Sequence, residues 1–303
     1  MSGVDFGIII HYGLYSYYGY DDINSAKRRS VQNGSEWYYG RLIDTNQFRP
    51  ISGQSFTKQH HKEHFGDMHY FDNIDKVIND EEKVREWVKK CKASYIILTA
   101  KHHDGLCLWN TDTTSRKSSL DICKVFSEEC KKNGIAFGFY YSWFEFDKSF
   151  TVDYFTRYCE PQLKELLKYE PKYLWFDGQW KIKQKCIISK ISGLVKNLVS
   201  KGIIINDRIG GDDFSMCSYR VFSDRFIPDE KLDLKWQHVN TIGYSWGYNK
   251  EQKKEDYKTG EKIYKLYEKI NGLGGSLLLN IGPDGNGNIC PEELAVLDYI
   301  SKK

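Results

Sequence analysis

No stretch of this 303-residue sequence approaches the ~18 consecutive apolar residues that read as a membrane span. The apolar run Phe6–Ile10 stops at His11, and the opening Met1-Ser2-Gly3-Val4-Asp5 has no basic n-region, so neither a signal peptide nor an anchor is expected. A cytoplasmic location is the default expectation, with a processed secreted or lysosomal form left open. Cysteine pairs are also missing. None of the eight Cys, at 91, 107, 123, 130, 159, 186, 217 and 290, stands in C-x-x-C spacing, which argues against zinc ribbons and thioredoxin-like sites. Scattered singly through a large domain, they suit buried reduced thiols better than a disulfide framework. Strong charge is lacking too: the formal net charge is +3 and the lysines form no stripe, so no nucleic-acid or membrane-surface partner is expected. Without repeats, low-complexity tracts or Pro/Gly/Ser-rich linkers, residues 1–303 read as a single domain.

What is present is an alternation of short apolar strands with longer amphipathic helices. Strands are expected at Phe6–Ile10, Tyr95–Thr99, Ala136–Tyr141, Tyr173–Phe176 and Ile203–Asn206. Helices are expected at Glu81–Ala93, Leu120–Asn133, Val152–Lys168 and Cys186–Ser200, and Gly134 and Gly202 stand just past two helix ends. Such alternation builds right-handed βαβ units on a parallel sheet. No G-x-G-x-x-G follows the first strand, which disfavours a dinucleotide-binding open sheet. Each expected strand instead ends on a polar group: His11, then Lys101-His102-His103-Asp104, Tyr141, Asp177, and Asn206-Asp207-Arg208. A (β/α)8-like TIM barrel, regular or not, gathers all those ends on one face, where active sites form.

Asp177 ends the apolar segment Tyr173-Leu174-Trp175-Phe176 and is followed by Gly178 and Trp180. A carboxylate among aromatic rings is costly unless paired or used. Pairing with a strand-end cation such as Arg208 is one reading; a nucleophilic carboxylate of a retaining glycosidase, with a partner ~5–5.5 Å away, is the other. Aromatic residues make up 15% of the chain, and rings of this kind can stack on the apolar faces of sugars. Adjacent His102 and His103 suit hydrogen bonding to hydroxyls better than metal chelation, and no metal site is expected. The His60-His61-Lys62-Glu63-His64 cluster and the acids Asp72, Asp75, Asp80, Glu81 and Glu82 read as solvated surface.

Eight motifs, in order, resemble the α-L-fucosidases of glycoside hydrolase family 29. They are Phe6–Ser16 (FGIIIHYGLYS), Glu36-Trp37-Tyr38, Leu98–Gly105 (LTAKHHDG), Tyr140-Tyr141-Ser142, Trp175–Gly178 (WFDG), Asn206-Asp207-Arg208, Ser245–Asn249 (SWGYN) and Gly274–Pro283 (GGSLLLNIGP). The resemblance implies a retaining hydrolase that releases terminal α-L-fucose from a fucosylated glycan without a cofactor. It implies Asp177 as nucleophile and His11, Glu36, Trp37, His102, His103, Tyr141, Trp175 and Arg208 as lining the sugar pocket, with Trp246 at the rim. SWGYN and GGSLLLNIGP otherwise read as turns and inner strands. The acid/base departs from the pattern. Where many members carry Trp-Glu, this chain has Trp236-Gln237, and an amide cannot exchange a proton in the useful range. Asp224 in Ser223-Asp224-Arg225-Phe226 is the first choice, with Glu230 and Asp229 behind it. A C-terminal β-sandwich, common in the family, is not expected here. The alternative function is a lectin-like, fucose-binding pseudoenzyme with an impaired acid/base, motivated by Gln237. Linkage and aglycone preference would depend on the loops Gln47–Asp80 and Gly211–Leu234, which carry no readable pattern.

Overall fold

A computed structural model describes residues 6–27, 34–43 and 53–303. Among the described residues seven strands carry the fold: β1 (Phe6–Ile10), β2 (Tyr95–Lys101), β3 (Ala136–Ser142), β4 (Tyr173–Asp177), β5 (Ile204–Ile205), β6 (Gln237–Thr241) and β7 (Ser276–Ile281). They form one sheet in the order β5-β4-β3-β2-β1-β7-β6, and every pairing is parallel. Runs such as FGIII are buried along their whole length, as expected of strands covered on both faces.

The sheet curls until β5 and β6 nearly meet, and an irregular segment fills the gap. Ser218 N–H donates to Ile205 O (2.8 Å), Arg220 N–H to Lys235 O (2.9 Å), and Gln237 N–H to Arg220 O (2.9 Å). Backbone hydrogen bonding therefore continues around the ring, although only Arg220 makes a ladder-type bridge there. Inside the ring, Ile9, Tyr95, Ile97, Tyr140, Trp175, Val221, Val239 and Leu278 form one buried cluster. Six of the seven strands and the bridging segment supply it, which is the filled interior of a (β/α) barrel. Opposite parity residues such as Ile8, Leu98, Phe139 and Leu174 join the larger cluster under the helices.

The helices that cover the outside are set by ordinary end signals. Asp80 caps the helix Glu81–Lys90 through Glu82 N–H, with acids in its first turn and Lys89 and Lys90 in its last. Gly134 and Gly202 take positive φ after their helices, as their positions suggested. The expected helix Val152–Lys168 forms as one continuous helical run, but it widens into a π-type turn at Phe155–Cys159 before the helix Glu160–Leu166. Pro161 explains this, because it cannot donate to the carbonyl four residues earlier.

The solvated reading of the 60–64 cluster holds for Lys62, Glu63 and His64, which are exposed, and fails for the two residues before them. His60 and His61 are buried in the helix Gln54–Phe65, where both ring Nδ1 atoms meet the Tyr38 hydroxyl (3.2 and 3.0 Å) and His60 stacks on Tyr20. The helix docks on an aromatic cluster of Tyr18, Tyr38 and Tyr70, and polar composition alone concealed that face. Part of the Gln47–Asp80 loop, through residue 52, lies outside the described residues. No disulfide forms among the eight cysteines; five are buried, while Cys186 is exposed. Among the described residues no helix is long and apolar enough to cross a membrane.

Candidate active site

Strand parity decides what reaches the C-terminal mouth of the barrel. In β4, Trp175 and Asp177 face inward. Register pairs them with Tyr140 and Ser142 of β3. Tyr140, not Tyr141, therefore enters the pocket. Tyr141 faces the helices, donating its hydroxyl hydrogen to Gln162 Oε1 (2.6 Å) beside the buried Lys101 Nζ (3.1 Å). The expectation for Tyr141 is thus corrected by one residue. The signal was present in AFGFYYS, where Phe137, Phe139 and Tyr141 share one face and Gly138, Tyr140 and Ser142 the other. Gly138 marks the inner face, since a Cβ there would run into Tyr173 (2.4 Å).

A cavity of about 490 Å³ opens at this end, within the usual range for small-molecule sites. Its floor is Ile9, Val239, Tyr140 and Trp175; His11, Glu36, Trp37, His102, His103, Asp177 and Arg208 form its walls. Asp177 is the electrostatic centre. Arg208 Nη1 donates to its Oδ1 (2.8 Å), the Tyr140 hydroxyl donates to its Oδ2 (2.7 Å), and His103 Nε2 lies 3.6 Å from Oδ2. Burial pushes the Asp177 carboxyl up, but the Arg208 charge, His103 and those hydrogen bonds outweigh it. The net displacement is downward, so the group is held ionised. Tyr140 is itself fixed as a slab, stacked between His102 (5.5 Å) and Trp175 (5.5 Å).

Arg208 does more than neutralise Asp177. Its guanidinium lies over the Trp175 ring at 4.7 Å, and its Nη2 donates to Asp224 Oδ1. One planar fork therefore joins the two acidic residues expected to carry chemistry, and bounds their separation. They differ in exposure: the Asp177 side chain is 11% exposed and that of Asp224 is 41% exposed. Asp224 sits on the irregular segment between β5 and β6, flanked by Phe222 and Arg225, both at φ 60°. Left-handed backbone at two bulky residues is strained and recurs at functional sites. Asp229 and Glu230 are exposed and do not line the cavity.

The remaining wall is built for neutral hydrogen bonding. Burial drives the ring pKa of His11 and of His103 down to about 4, and that of His102 further still, so all three are uncharged at neutral pH. His11 Nδ1 meets Asn280 Oδ1 (2.5 Å) and His103 Nδ1 meets Ser142 Oγ (2.6 Å). Among the described residues His102 Nδ1 has no partner. Glu36 accepts from Gly247 N–H (3.0 Å) through Oε2, its Oε1 has no partner among the described residues, and burial raises its carboxyl pKa to about 7. Trp37 packs edge-on against His103 (5.5 Å), and Trp246 lies 5.4 Å from His11 with the Arg225 guanidinium 5.0 Å from its ring. Buried polar atoms left unpaired around aromatic surfaces suit a ligand with several hydroxyl groups and apolar faces. Among the described residues no group of three or more His, Cys, Asp or Glu is arranged to hold a metal ion.

Gln237 is not in this wall. It lies below it in the barrel interior, where Oε1 accepts from Trp175 Nε1 (2.9 Å) and Nε2 donates to the Tyr95 hydroxyl (2.8 Å). The pocket also includes Gln179, Trp180, Phe222 and Tyr244, which sequence reasoning did not assign. Only Trp180 had a visible cue, its place three residues after Asp177.

A filled parallel barrel with an ionised carboxylate, a paired second carboxylate and ring-lined walls has the architecture of the (β/α)-barrel domains of glycoside hydrolases. The chain belongs to the α-L-fucosidase family, whose profile, Alpha-L-fucosidase, matches residues 2–302. It is 29% identical to an α-L-fucosidase of Dictyostelium discoideum, covering 94% of this chain and 65% of that protein. It is 30% identical to the plasma α-L-fucosidase of Rattus norvegicus, covering 94% of this chain and 63% of the relative. The chain thus spans somewhat less than two thirds of the length of these relatives. The crystal structure of Thermotoga maritima α-fucosidase superposes with a TM-score of 0.80 at 26% identity, over 99% of this chain and 72% of that one. The same enzyme in complex with fucose gives a TM-score of 0.79 at 27% identity, again over 99% and 72%.

Proposed function

We propose that this chain is the catalytic domain of a retaining α-L-fucosidase that removes terminal α-L-fucose from a glycan by double displacement. One observation carries the reading: a single guanidinium, Arg208, holds a deep carboxylate and a mouth carboxylate together. The deep one, Asp177, is ionised and buried among rings, as a nucleophile must be. The mouth one, Asp224, is on a loop and reachable by water, as an acid/base must be.

In the first step an Asp177 oxygen attacks the anomeric carbon. The bond to the leaving oxygen breaks, and Asp224, released from Arg208 and protonated from solvent, gives that oxygen its proton. In the second step Asp224 takes a proton from water, whose oxygen attacks the same carbon and frees the Asp177 carboxylate. His11, Glu36, His102 and His103 hold the fucose hydroxyls, and Arg208 stabilises the carboxylate that leaves in the second step. The pseudoenzyme reading drew its support from Gln237. That side chain lies beneath Trp175 and outside the cavity, so an amide there removes no proton donor from the pocket.

Turnover of an aryl α-L-fucoside tests the proposal, and no release between pH 4 and 8 would overturn it. Asp177→Asn should lower kcat by at least ~10³-fold with circular dichroism unchanged. Asp224→Asn should spare substrates with good leaving groups far more than oligosaccharides; equal losses on both would remove Asp224 from the acid/base role.

A further inference from the structure

Exposure rises in one direction through the pocket, and that direction locates the leaving group. Ile9, Val239, Tyr140 and Trp175 are buried at the floor, whereas Trp180 is 39% exposed. Trp180 and Asp224 both line the mouth. If Asp224 protonates the leaving oxygen, the rest of the aglycone must lie beyond Asp224, between the segment after β4 and the strained segment 222–225. The wall there is already formed. Gly178, at φ 81°, turns the chain at the end of β4 into a short 3₁₀ helix, Gln179–Lys181, that projects Trp180 over the mouth. The Trp180 ring is braced edge-on by Phe144 (5.5 Å) and His103 (5.6 Å). Bracing at the edge fixes the ring's orientation while leaving it partly open to solvent. Beside it, Gln179 lines the same cavity, and its side-chain oxygen, just behind the cavity surface, has no hydrogen-bond partner among the described residues, so a small turn of the amide presents it to a ligand. Phe222 and Tyr244 form the facing side.

We infer that Trp180 and Gln179 form an aglycone subsite that takes a neutral pyranose ring, the ring stacking its C–H face on the indole and giving one hydroxyl hydrogen to Gln179 Oε1. This rests on the fucosidase reading. An unpaired buried acceptor beside an open aromatic face is a demand for a ring carrying both C–H surface and hydroxyls, which a pyranose meets. The two arginines that line the cavity are already engaged, Arg208 by two carboxylates and Arg225 by Trp246, Thr241 and Tyr244, while Lys181 lies against Phe144 and does not line it, which favours a neutral sugar over a charged one.

The test compares α-L-fucosyl fluoride, which has no ring on the leaving side, with fucosyl-galactose disaccharides of differing linkage. Trp180→Ala should lower kcat/KM on the best disaccharide at least tenfold more than on the fluoride, and Trp180→Phe should recover most of that excess. Equal losses on both substrates would mean that Trp180 only braces His103 and Phe144, and no excess loss would equally overturn the subsite. Should the wild type hydrolyse none of these, the functional reading fails instead. Calorimetry of Asp177→Asn then reads the subsite separately: disaccharide should bind at least tenfold tighter than fucose, and Trp180→Ala should abolish that difference. Equal affinities would overturn it.

Discussion

Glu36 is where the pocket's demand for a ligand becomes a cost to the empty protein. Its carboxyl is buried, one oxygen is unpaired, and its pKa stands at about 7 against an ordinary 4.5. Because the folded pKa is the higher, the folded state binds more protons between those values. The contribution to stability is fully present below about pH 4.5 and is lost as pH rises to about 7. That gap of about 2.5 pH units corresponds to roughly 3 kcal/mol at ~1.36 kcal/mol per unit. Glu36→Gln keeps the shape and an acceptor for Gly247 N–H but removes the titration. The difference in unfolding free energy, wild type minus variant, should therefore fall by roughly 3 kcal/mol from pH 4.5 to 7.5. In thermal melts, with ~2.1 cal/mol/K of unfolding entropy per residue, this is a relative displacement in Tm of about 5 °C. Glu293 and Asp104 also carry raised pKa values, about 8 and about 6, but they are common to both proteins and cancel in the difference. A wild-type-minus-variant difference that stays flat across this range would refute the reasoning.

The same groups set limits on activity. Hydrolysis, measured as kcat/KM, should fall below about pH 4 as His11 and His103 gain charge, and above about pH 7 as Glu36 loses its proton; in Glu36→Gln the alkaline fall should move or vanish. Gln237→Glu should leave the dependence on leaving group unchanged, while Gln237→Leu, which strands Trp175 Nε1 and the Tyr95 hydroxyl, should cost about 2–5 kcal/mol in denaturant unfolding. Lys101 is fully buried, bound by Tyr141, Tyr154 and Gln162 and 3.5 Å from Glu145. Lys101→Met should destabilise by about 3–5 kcal/mol, read by chemical unfolding; a loss under 1 kcal/mol would show that Lys148 (2.7 Å) and Arg116 (3.6 Å) suffice to hold Glu145.

The parts of this molecule that were legible in its sequence share one property: they are local. Apolar runs of four to six residues mark β1 to β4, and the polar residues that follow each run mark the rim. The site residues from His11 to Arg208 follow from that pattern and from the ordered motifs. What escaped depends on contacts between distant segments. β6, read QHVNT, is polar enough to pass for a loop, and is a strand because β7 pairs with it on one side and Arg220 on the other. His60 and His61 look solvated until the helix that bears them meets Tyr38. Tyr141 was misplaced because a two-residue period fixes which residues share a face without saying which face is inner.

Gln237 makes the same point with a consequence for mechanism. By the family resemblance it stands where Trp-Glu is expected, and an amide in that place suggests a lost proton donor. In the barrel, inward parity on β6 puts Gln237 level with Tyr95 and below Trp175, so its side chain meets the indole N–H rather than the cavity. The proton-transfer question then shifts from residue identity to loop geometry. Asp224 reaches the pocket only because Phe222 and Arg225 hold left-handed backbone on either side of it and Arg208 draws its carboxylate inward. Arg208 is in turn seated on Trp175, whose indole is fixed by Gln237. Gln237 thus bears on the acid/base indirectly, as the lowest member of a stack that runs through Trp175 and Arg208 to both carboxylates.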